Sequence, residues 1–324
     1  MRRTADTILK YAFLSVAMLF SASCVHEFPK DGYDPAEVVL DLSLTASKPI
    51  LTRAASDGAV LGYVLEAYKE GATKIGVDKP ELRIERFAAS GDDELNLTLS
   101  AETYRFVAWM AYKDEDTGEA VCYDATDLAK VSLVNHIGHD DVRDAFRGEL
   151  EIDLSRHEPG KHVKVSGTMT LKRPLAKVCF ITEDVEQYAE TYSHSRSGSP
   201  LDNLKAVFYY DGFMPVEYNC FTNQPTDSKP GQFYEVMLRD IVVKGKDTEI
   251  GFDYVFVNGE GSFVKMSVSI VDVETGQVLT SKKGLDIPVS RNHITQVRGN
   301  FLTEGSDTGI SIETDFDGEF NIKF

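Results

Sequence analysis

Apolar and polar residues alternate along most of this chain, in short runs rich in Val, Ile, Tyr, Phe and Thr that are separated by Gly, Asp, Asn and Pro. A period of two is typical of half-buried β-strands, and regularly spaced runs of this kind are typical of β-sandwiches. The pattern predicts strands at 37–44, 62–69, 82–88, 94–100, 103–112, 130–135, 149–154, 162–172, 175–182, 204–210, 233–242, 249–257, 264–273, 278–289, 295–302, 310–316 and 319–324. The predicted fold class is therefore all-β.

Helical spacing is restricted to two short segments. In 181–192, Thr182 is placed to cap a helix that carries Val185 and Tyr188 on one face. A second short helix is expected at 139–146. Both segments are interpreted as crossovers between strands.

A domain boundary is expected near 158–173, where Pro159 and Gly160 interrupt the pattern before an almost unbroken β segment resumes. The chain is accordingly divided into residues 1–23, an N-terminal sandwich at 24–165 and a C-terminal sandwich at 166–324.

Residues 1–23 have the features of a secretion signal. Two arginines in the first three residues precede an apolar run at 11–20, which is too short to span a bilayer as a helix. Three small residues at 21–23 then precede Cys24. The arrangement resembles a bacterial lipoprotein box, although Ser21 stands where an aliphatic residue is usual, and it predicts acylation, such as by palmitate, at Cys24. A plain secretory peptide with an incidental cysteine is the alternative.

The charge of the chain limits its partners. Asp and Glu number 52 against 34 Lys and Arg, and the net charge is −18. Nucleic acid and anionic lipid surfaces are disfavoured as partners, because phosphate binding relies on clustered Lys and Arg. Apart from Cys24, the cysteines are Cys122, Cys179 and Cys220, which include no CxxC pair, so neither a disulfide framework nor a zinc site is predicted.

No catalytic constellation is convincing. His136, His139, Asp140 and Asp141 are residue types that ligate divalent metals, but a polar turn leading into a helix needs Asp and His for capping alone. The chain contains no G-x-S-x-G motif and no Gly-rich loop between a strand and a helix. The protein is therefore predicted not to be an enzyme and to have no cofactor and no metal, with a metal-dependent hydrolase as a remote alternative.

Three segments together resemble the fimbrillin-like proteins of Bacteroidota-type bacteria: 171–180, 204–219 and 287–303. In that family an Arg-x-x-Ala-Lys strand, here 173–177, begins the C-terminal sandwich, and two strands joined by an Arg-Asn turn form a late hairpin. The sequence SRNH of this turn can supply a positive φ at Asn292. The resemblance implies two tandem Greek-key β-sandwich domains of transthyretin-like architecture.

The resemblance also implies a function, that of a structural or adhesive subunit of a cell-surface pilus (fimbria). Such a subunit is exported as a lipoprotein, anchored in the outer membrane through Cys24, and joined to other pilin subunits by donor-strand exchange. In the polymerising members a trypsin-like protease cuts after an Arg in the loop that follows the first strand; here that bond would follow Arg53 in the segment 47–58, and the cut would release the first strand at 36–44. The alternative is that Arg53 is an ordinary solvated side chain, as in an anchor or accessory subunit that keeps its first strand. The alternating C-terminal segment 318–324 is either a donor strand or an ordinary terminal strand.

A surface glycan-binding lipoprotein is the competing interpretation. The chain has one tryptophan, Trp109, and a glycan platform would otherwise depend on loop aromatics such as Tyr210, Phe213 and Tyr218. Alternation within 103–112 places most of the rings of that strand in a core.

Overall fold

Strands make up nearly all of the regular structure, as the alternation predicts. The computed structural model describes residues 37–46, 58–71, 79–88, 90–157, 163–192, 199–259 and 262–303, together with the backbone of two strands at 311–313 and 319–323. In the described part of the chain the only α-helix is α1, Val185–Tyr192. The all-β prediction is confirmed.

The strands, in chain order, are β1 (Glu37–Ala46), β2 (Ala59–Lys69), β3 (Leu82–Phe87), β4 (Asp92–Ser100), β5 (Thr103–Asp114), β6 (Tyr123–Asp124), β7 (Val131–Leu133), β8 (Ala145–Asp153), β9 (Val163–Leu171), β10 (Leu175–Thr182), β11 (Leu204–Tyr210), β12 (Phe213–Asn219), β13 (Gln224–Pro230), β14 (Phe233–Met237), β15 (Thr248–Phe256), β16 (Ser262–Asp272), β17 (Val278–Val289), β18 (Ile294–Gly299), β19 (Ser311–Glu313) and β20 (Glu319–Lys323). Short 3-10 turns lie at Asp141–Arg143, Leu238–Asp240 and Gly245–Asp247.

The first half of the chain builds two sheets, with strand orders β4-β1-β9 and β3-β2-β5-β8. The inward residues of both sheets belong to one apolar core, to which β1 contributes Leu40 and β5 contributes Phe106. From Leu61 to Tyr68, β2 is buried on both faces, and most of β5 is buried in the same way. The outer face of these two strands is therefore covered by another part of the molecule.

The second half builds a sandwich from the sheets β15-β10-β18-β19-β20 and β14-β11-β16-β17. A second core lies between them and includes Phe180, Phe208 and Val297. Every residue of β10 is buried. Cys179 belongs to the first core and its neighbour Phe180 to the second, so β10 separates the two.

A fifth sheet, β13-β12-β7-β6, contains strands from both halves of the chain, because β12 pairs with β7. The hairpin of β12 and β13 is missing from the predicted strands, because Pro215, Pro225 and Pro230 interrupt its apolar alternation. By their contacts, the described residues belong to one compact unit. The division into domains at 165/166 stays a prediction.

Two local predictions are wrong. The segment 139–146 contains one 3-10 turn, in which Asp140 accepts from the backbone N–H of Val142, and β8 begins at Ala145. The Arg-Asn turn does not close a hairpin, because β17 pairs with β16 whereas β18 pairs with β10. The turn therefore carries the chain from one sheet of the second sandwich to the other.

The capping residue of the α-helix also differs from the prediction. Thr182 is the last residue of β10, and the helix starts after Asp184, whose backbone carbonyl accepts from Tyr188 N–H at 2.9 Å. The Thr182 hydroxyl donates to the Asp184 carboxylate at 2.6 Å, so the two residues stabilise the strand-to-helix turn together.

Candidate functional site

Strand β1 lies in the middle of its sheet. It pairs antiparallel with β4, from Glu37 opposite Ser100 to Thr45 opposite Asp92. On its other side it pairs parallel with β9. Removal of β1 would therefore leave two separated strands with unpaired backbone groups along their facing edges.

The inward face of β1 is apolar over its whole length. Val38, Leu40 and Leu42 are fully buried, and Leu44 is 1% exposed. Burial of each large aliphatic side chain stabilises the fold by about 1.5–3 kcal/mol. Loss of the strand would therefore expose a groove lined by the core of the first sandwich.

Beside Leu42 the facing residue of β9 is Gly167. A Cβ atom on Gly167 would lie 2.7 Å from Ile152 Cδ1 and 3.7 Å from Leu42 Cδ1. The missing side chain of Gly167 therefore makes room for Ile152 to pack near Leu42.

The outward face of β1 is polar and is joined to its neighbours by exposed contacts. Asp41 accepts from Asn96 Nδ2 at 2.7 Å and from Lys164 Nζ at 2.6 Å, and Ser43 donates to Glu94 at 2.9 Å. The hydrogen bonds from Lys164 and Asn96 hold the pKa of Asp41 below its ordinary value. Exposed ion pairs of this kind contribute little to stability, so the apolar face and the backbone ladders hold β1 in place.

The other two predicted positions of this site, Cys24 and Arg53, lie outside the described residues. Both remain predictions. No helix in the described part of the chain is long and apolar enough to cross a bilayer.

The basic residues of the Arg-x-x-Ala-Lys motif both bind buried carboxylates of the segment that precedes β8. Arg173 Nε lies 2.8 Å from Asp144 Oδ1, and its Nη2 lies 2.8 Å from Asp144 Oδ2, so the pair is bidentate. Lys177 Nζ lies 2.8 Å from Asp141 Oδ1. The motif thus joins the start of β10 to the first half of the chain.

The Arg-Asn turn reaches the same place. Asn292 has φ 59°, as predicted, and its N–H donates to Leu175 O at 2.8 Å. Arg173 Nη1 donates to the Asn292 side chain at 3.3 Å, and Lys177 N–H donates to His293 O at 3.0 Å. Two of the segments that carry the resemblance therefore meet at the beginning of β10.

A buried carboxylate, Asp253, lies on β15 near this junction. It accepts from His136 Nε2 and from the Tyr210 hydroxyl, each at 2.7 Å, and Arg143 Nη2 is 3.5 Å away. Burial alone would raise the pKa of Asp253, but Arg143 and the hydrogen bonds from His136 and Tyr210 hold it below its ordinary value.

The two histidines considered as metal ligands make other contacts. His139 lies 4.8 Å from the ring of Phe252, centroid to centroid, and His136 binds Asp253. Within the described ranges no group of three or more His, Cys, Asp or Glu residues is placed to hold a metal ion. Burial raises the pKa of Cys122 to about 12 and also raises the pKa values of Cys179 and Cys220, so all three thiols are protonated at neutral pH.

The aromatic residues singled out for glycan binding are mostly internal. Trp109 is 2% exposed and packs against Tyr123, Tyr218 and Phe256. Tyr210 and Tyr218, expected in loops, are buried within β11 and β12. Phe213 alone among the three predicted loop aromatics is exposed, at 70%.

The sequence reasoning missed the acidic half of the junction. The local pattern indicates only a metal ligand or a helix cap at Asp141, and it singles out neither Asp144 nor Asp253. The sequence does carry one signal: Arg173 lies just before the start of an otherwise apolar strand and Lys177 lies within it, and charged residues there require buried partners of opposite charge.

Comparison with known proteins gives a family without an assigned role. The chain belongs to a family of unknown function, DUF6562, whose model matches residues 32–324. No curated protein matches the chain.

Several solved structures are similar in fold. A candidate polysaccharide-binding protein (DUF1812) from Bacteroides thetaiotaomicron has 13% identity and a TM-score of 0.46, over 87% of this chain and 98% of that one. The fimbrial anchor protein Mfa2 from Porphyromonas gingivalis has 12% identity and a TM-score of 0.43, over 90% and 100% of the two chains. A candidate cell adhesion protein from Bacteroides eggerthii has 11% identity and a TM-score of 0.44, over 87% and 96%. Likenesses at this level do not assign a function.

Proposed function

We propose that this protein is a structural or adhesive subunit of a cell-surface pilus, exported as a lipoprotein acylated at Cys24 and assembled by exchange of its first strand. The observation that carries the proposal is the position of β1, which lies between β4 and β9 with one face fully buried. Only another strand with the same alternation satisfies both the backbone edges and the apolar groove that its departure leaves.

The sequence around β1 supports the same mechanism. Residues 47–58 follow the strand directly and contain Arg53, the residue type after which trypsin-like proteases cut. A cut there would leave β1 joined to the body of the protein by non-covalent contacts alone. Acyl chains at Cys24 would remain on the released piece, since the cut separates residue 24 from the body.

The resemblance of 171–180, 204–219 and 287–303 to fimbrillin-like proteins supports the same class of function. Under the proposal the partners are other pilin subunits and a processing protease, and the location is the outer membrane and the fimbria. Glycan binding is not proposed as a second function, because Trp109, Tyr210 and Tyr218 are buried and Phe213 alone does not make an aromatic platform.

The test uses the purified chain and a trypsin-like protease. Cleavage after Arg53 is expected to be followed by polymers that sediment, whereas an Arg53→Gln variant remains uncut at that bond and monomeric. A wild-type chain that is cut after Arg53 and stays monomeric at high concentration would overturn the strand-exchange proposal. Mass spectrometry of the N-terminal peptide, with Cys24→Ser as control, tests acylation separately.

A further inference from the structure

Lys177 and Asp141 form a buried ion pair between an amine and a carboxylate. The amine nitrogen and one carboxylate oxygen are 2.8 Å apart, and both side chains are 7% exposed. Lys177 lies within β10, between β15 and β18, and Asp141 begins the 3-10 turn before β8. Both residues are therefore held by regular structure, which keeps the two reacting groups in place.

Aromatic rings surround the pair. Lys177 Nζ lies 3.7 Å from the ring centroid of Phe252 and 5.2 Å from that of Tyr254. The Tyr254 hydroxyl donates to Asp141 Oδ1 at 2.8 Å. Burial, together with the carboxylates of Asp144 and Asp141, raises the pKa of Tyr254, so this hydroxyl keeps its proton and remains a hydrogen-bond donor.

A buried lysine and aspartate in hydrogen-bond contact can exchange a proton. Transfer of one proton along the 2.8 Å hydrogen bond converts the ammonium and the carboxylate into an amine beside a carboxylic acid. A neutral lysine amine is a nucleophile, and the hydrogen bond from Tyr254 polarises the carboxyl group that it faces.

We propose that Lys177 and Asp141 condense to an intramolecular amide bond that joins β10 covalently to the turn before β8. The ammonium transfers one proton to the carboxylate, and the amine nitrogen then attacks Asp141 Cγ. A second proton moves from nitrogen to the departing hydroxyl, the C–O bond breaks, and one water molecule leaves. The ammonium and carboxylate thus become an amide and water, without any oxidant or co-reactant.

The neighbouring pair is a built-in contrast. Arg173 and Asp144 are equally close and nearly as well buried. The guanidinium stays protonated in proteins and is not nucleophilic, so this pair remains ionic. Of these two adjacent ion pairs, only the pair with lysine can therefore form the proposed bond.

The bond would join two residues that are 36 positions apart and would close a loop that contains β8 and β9. It would tie the first half of the chain to the strand that separates the two cores. This inference is independent of the pilus proposal, because it depends only on the geometry of the pair.

The test is peptide mapping of the full chain after denaturation and trypsin digestion. In the absence of the bond, trypsin releases 131–143, which contains Asp141, and 173–177, which ends at Lys177. With the bond, these regions appear as one branched species of 131–143 joined to 173–196, lighter by one water than the sum of its parts. Lys177→Arg keeps a cation at the site and is expected to give no branched species.

A second variant separates covalent chemistry from ion pairing. Asp141→Asn is expected to give the same branched species with loss of ammonia instead of water. The reason is that the Lys177 amine can also attack the carboxamide carbon of an asparagine side chain. Circular dichroism verifies that each variant is folded. A folded wild-type chain that releases free 173–177 and no branched species would overturn the proposal.

Discussion

Strands β1 and β10 have the same kinds of neighbouring strand but differ in burial. Each lies between one antiparallel and one parallel neighbour, β4 and β9 for the first, β15 and β18 for the second. One face of β1 is polar and partly exposed, whereas β10 is buried along its whole length. The two strands therefore differ in the chemistry of the second face and not in the type of backbone pairing.

The second face of β10 makes buried apolar and ionic contacts that the second face of β1 does not make. Cys179 and Leu175 on that face join the first core, and Lys177 binds the buried Asp141. On β1 the corresponding contacts are exposed and weak, such as Asp41 with Lys164. Under the strand-exchange proposal, β1 is the strand that is replaced and β10 is the strand that stays in place.

The largest effect is expected where the motif at the start of β10 loses a charge. Arg173→Met leaves Asp144 buried without its cation and should lower the free energy of unfolding by about 3–5 kcal/mol. Urea denaturation measures the change. Arg156→Met, at an exposed pair with Asp153, is the matched control and should leave the midpoint unchanged. Equal losses for the two variants would contradict the fixed role of β10.

A core residue of β1 should come next. Leu42→Ala creates a cavity beside Gly167 and should cost about 2–5 kcal/mol of unfolding free energy. Ser43→Ala changes the adjacent outward residue and should change stability by less than about 0.5 kcal/mol. If the two substitutions had similar effects in urea denaturation, the inward face of β1 would not be what holds the strand.

Overpacking of the groove is expected to have a smaller effect. Gly167→Ala places a Cβ atom against Ile152 and should cost about 1–3 kcal/mol. Gly212→Ala is the control, since a Cβ atom there has no neighbour within 4 Å. Addition of Ile152→Val to Gly167→Ala should recover part of the loss, and a lack of recovery would show that the two positions are not coupled.

The smallest effect is expected on the outer face of β1. Because hydrogen bonds from Lys164 and Asn96 depress the pKa of Asp41, the associated stabilisation is present above the ordinary pKa of 3.8 and is lost as pH falls through the depressed value. An NMR titration should show the pKa of Asp41 rising toward 3.8 in Lys164→Gln. An unchanged pKa in that variant would remove Lys164 as the cause.

The alternation of the sequence predicts most of the strands because half-buried strands repeat with a period of two. It fails at β12 and β13, where prolines and polar residues occupy strands of a sheet shared by both halves. It also fails at 139–146, where Asp140 caps only a 3-10 turn and Asp141, a candidate capping residue, binds the distant Lys177. The pairing of β12 with β7 and the contact of Asp141 with Lys177 join residues far apart in the chain, so local spacing does not predict them.

The position of the candidate site is predicted in part. The first strand is found as expected, and its central place between β4 and β9 is a tertiary fact that alternation does not contain. The positive φ of Asn292 follows from turn chemistry, but the fact that the turn joins two sheets does not.

The most direct test of strand exchange measures whether a synthetic peptide can displace β1 from the cleaved protein. The chain is cleaved after Arg53 and incubated with a labelled synthetic peptide of residues 36–46, or with the same peptide carrying Leu40→Asp and Leu42→Asp. Native mass spectrometry then reports which strand occupies each subunit. The account predicts that the unmodified peptide replaces the original strand and the doubly substituted peptide does not. Retention of the original strand in every subunit, with no label bound, would contradict it.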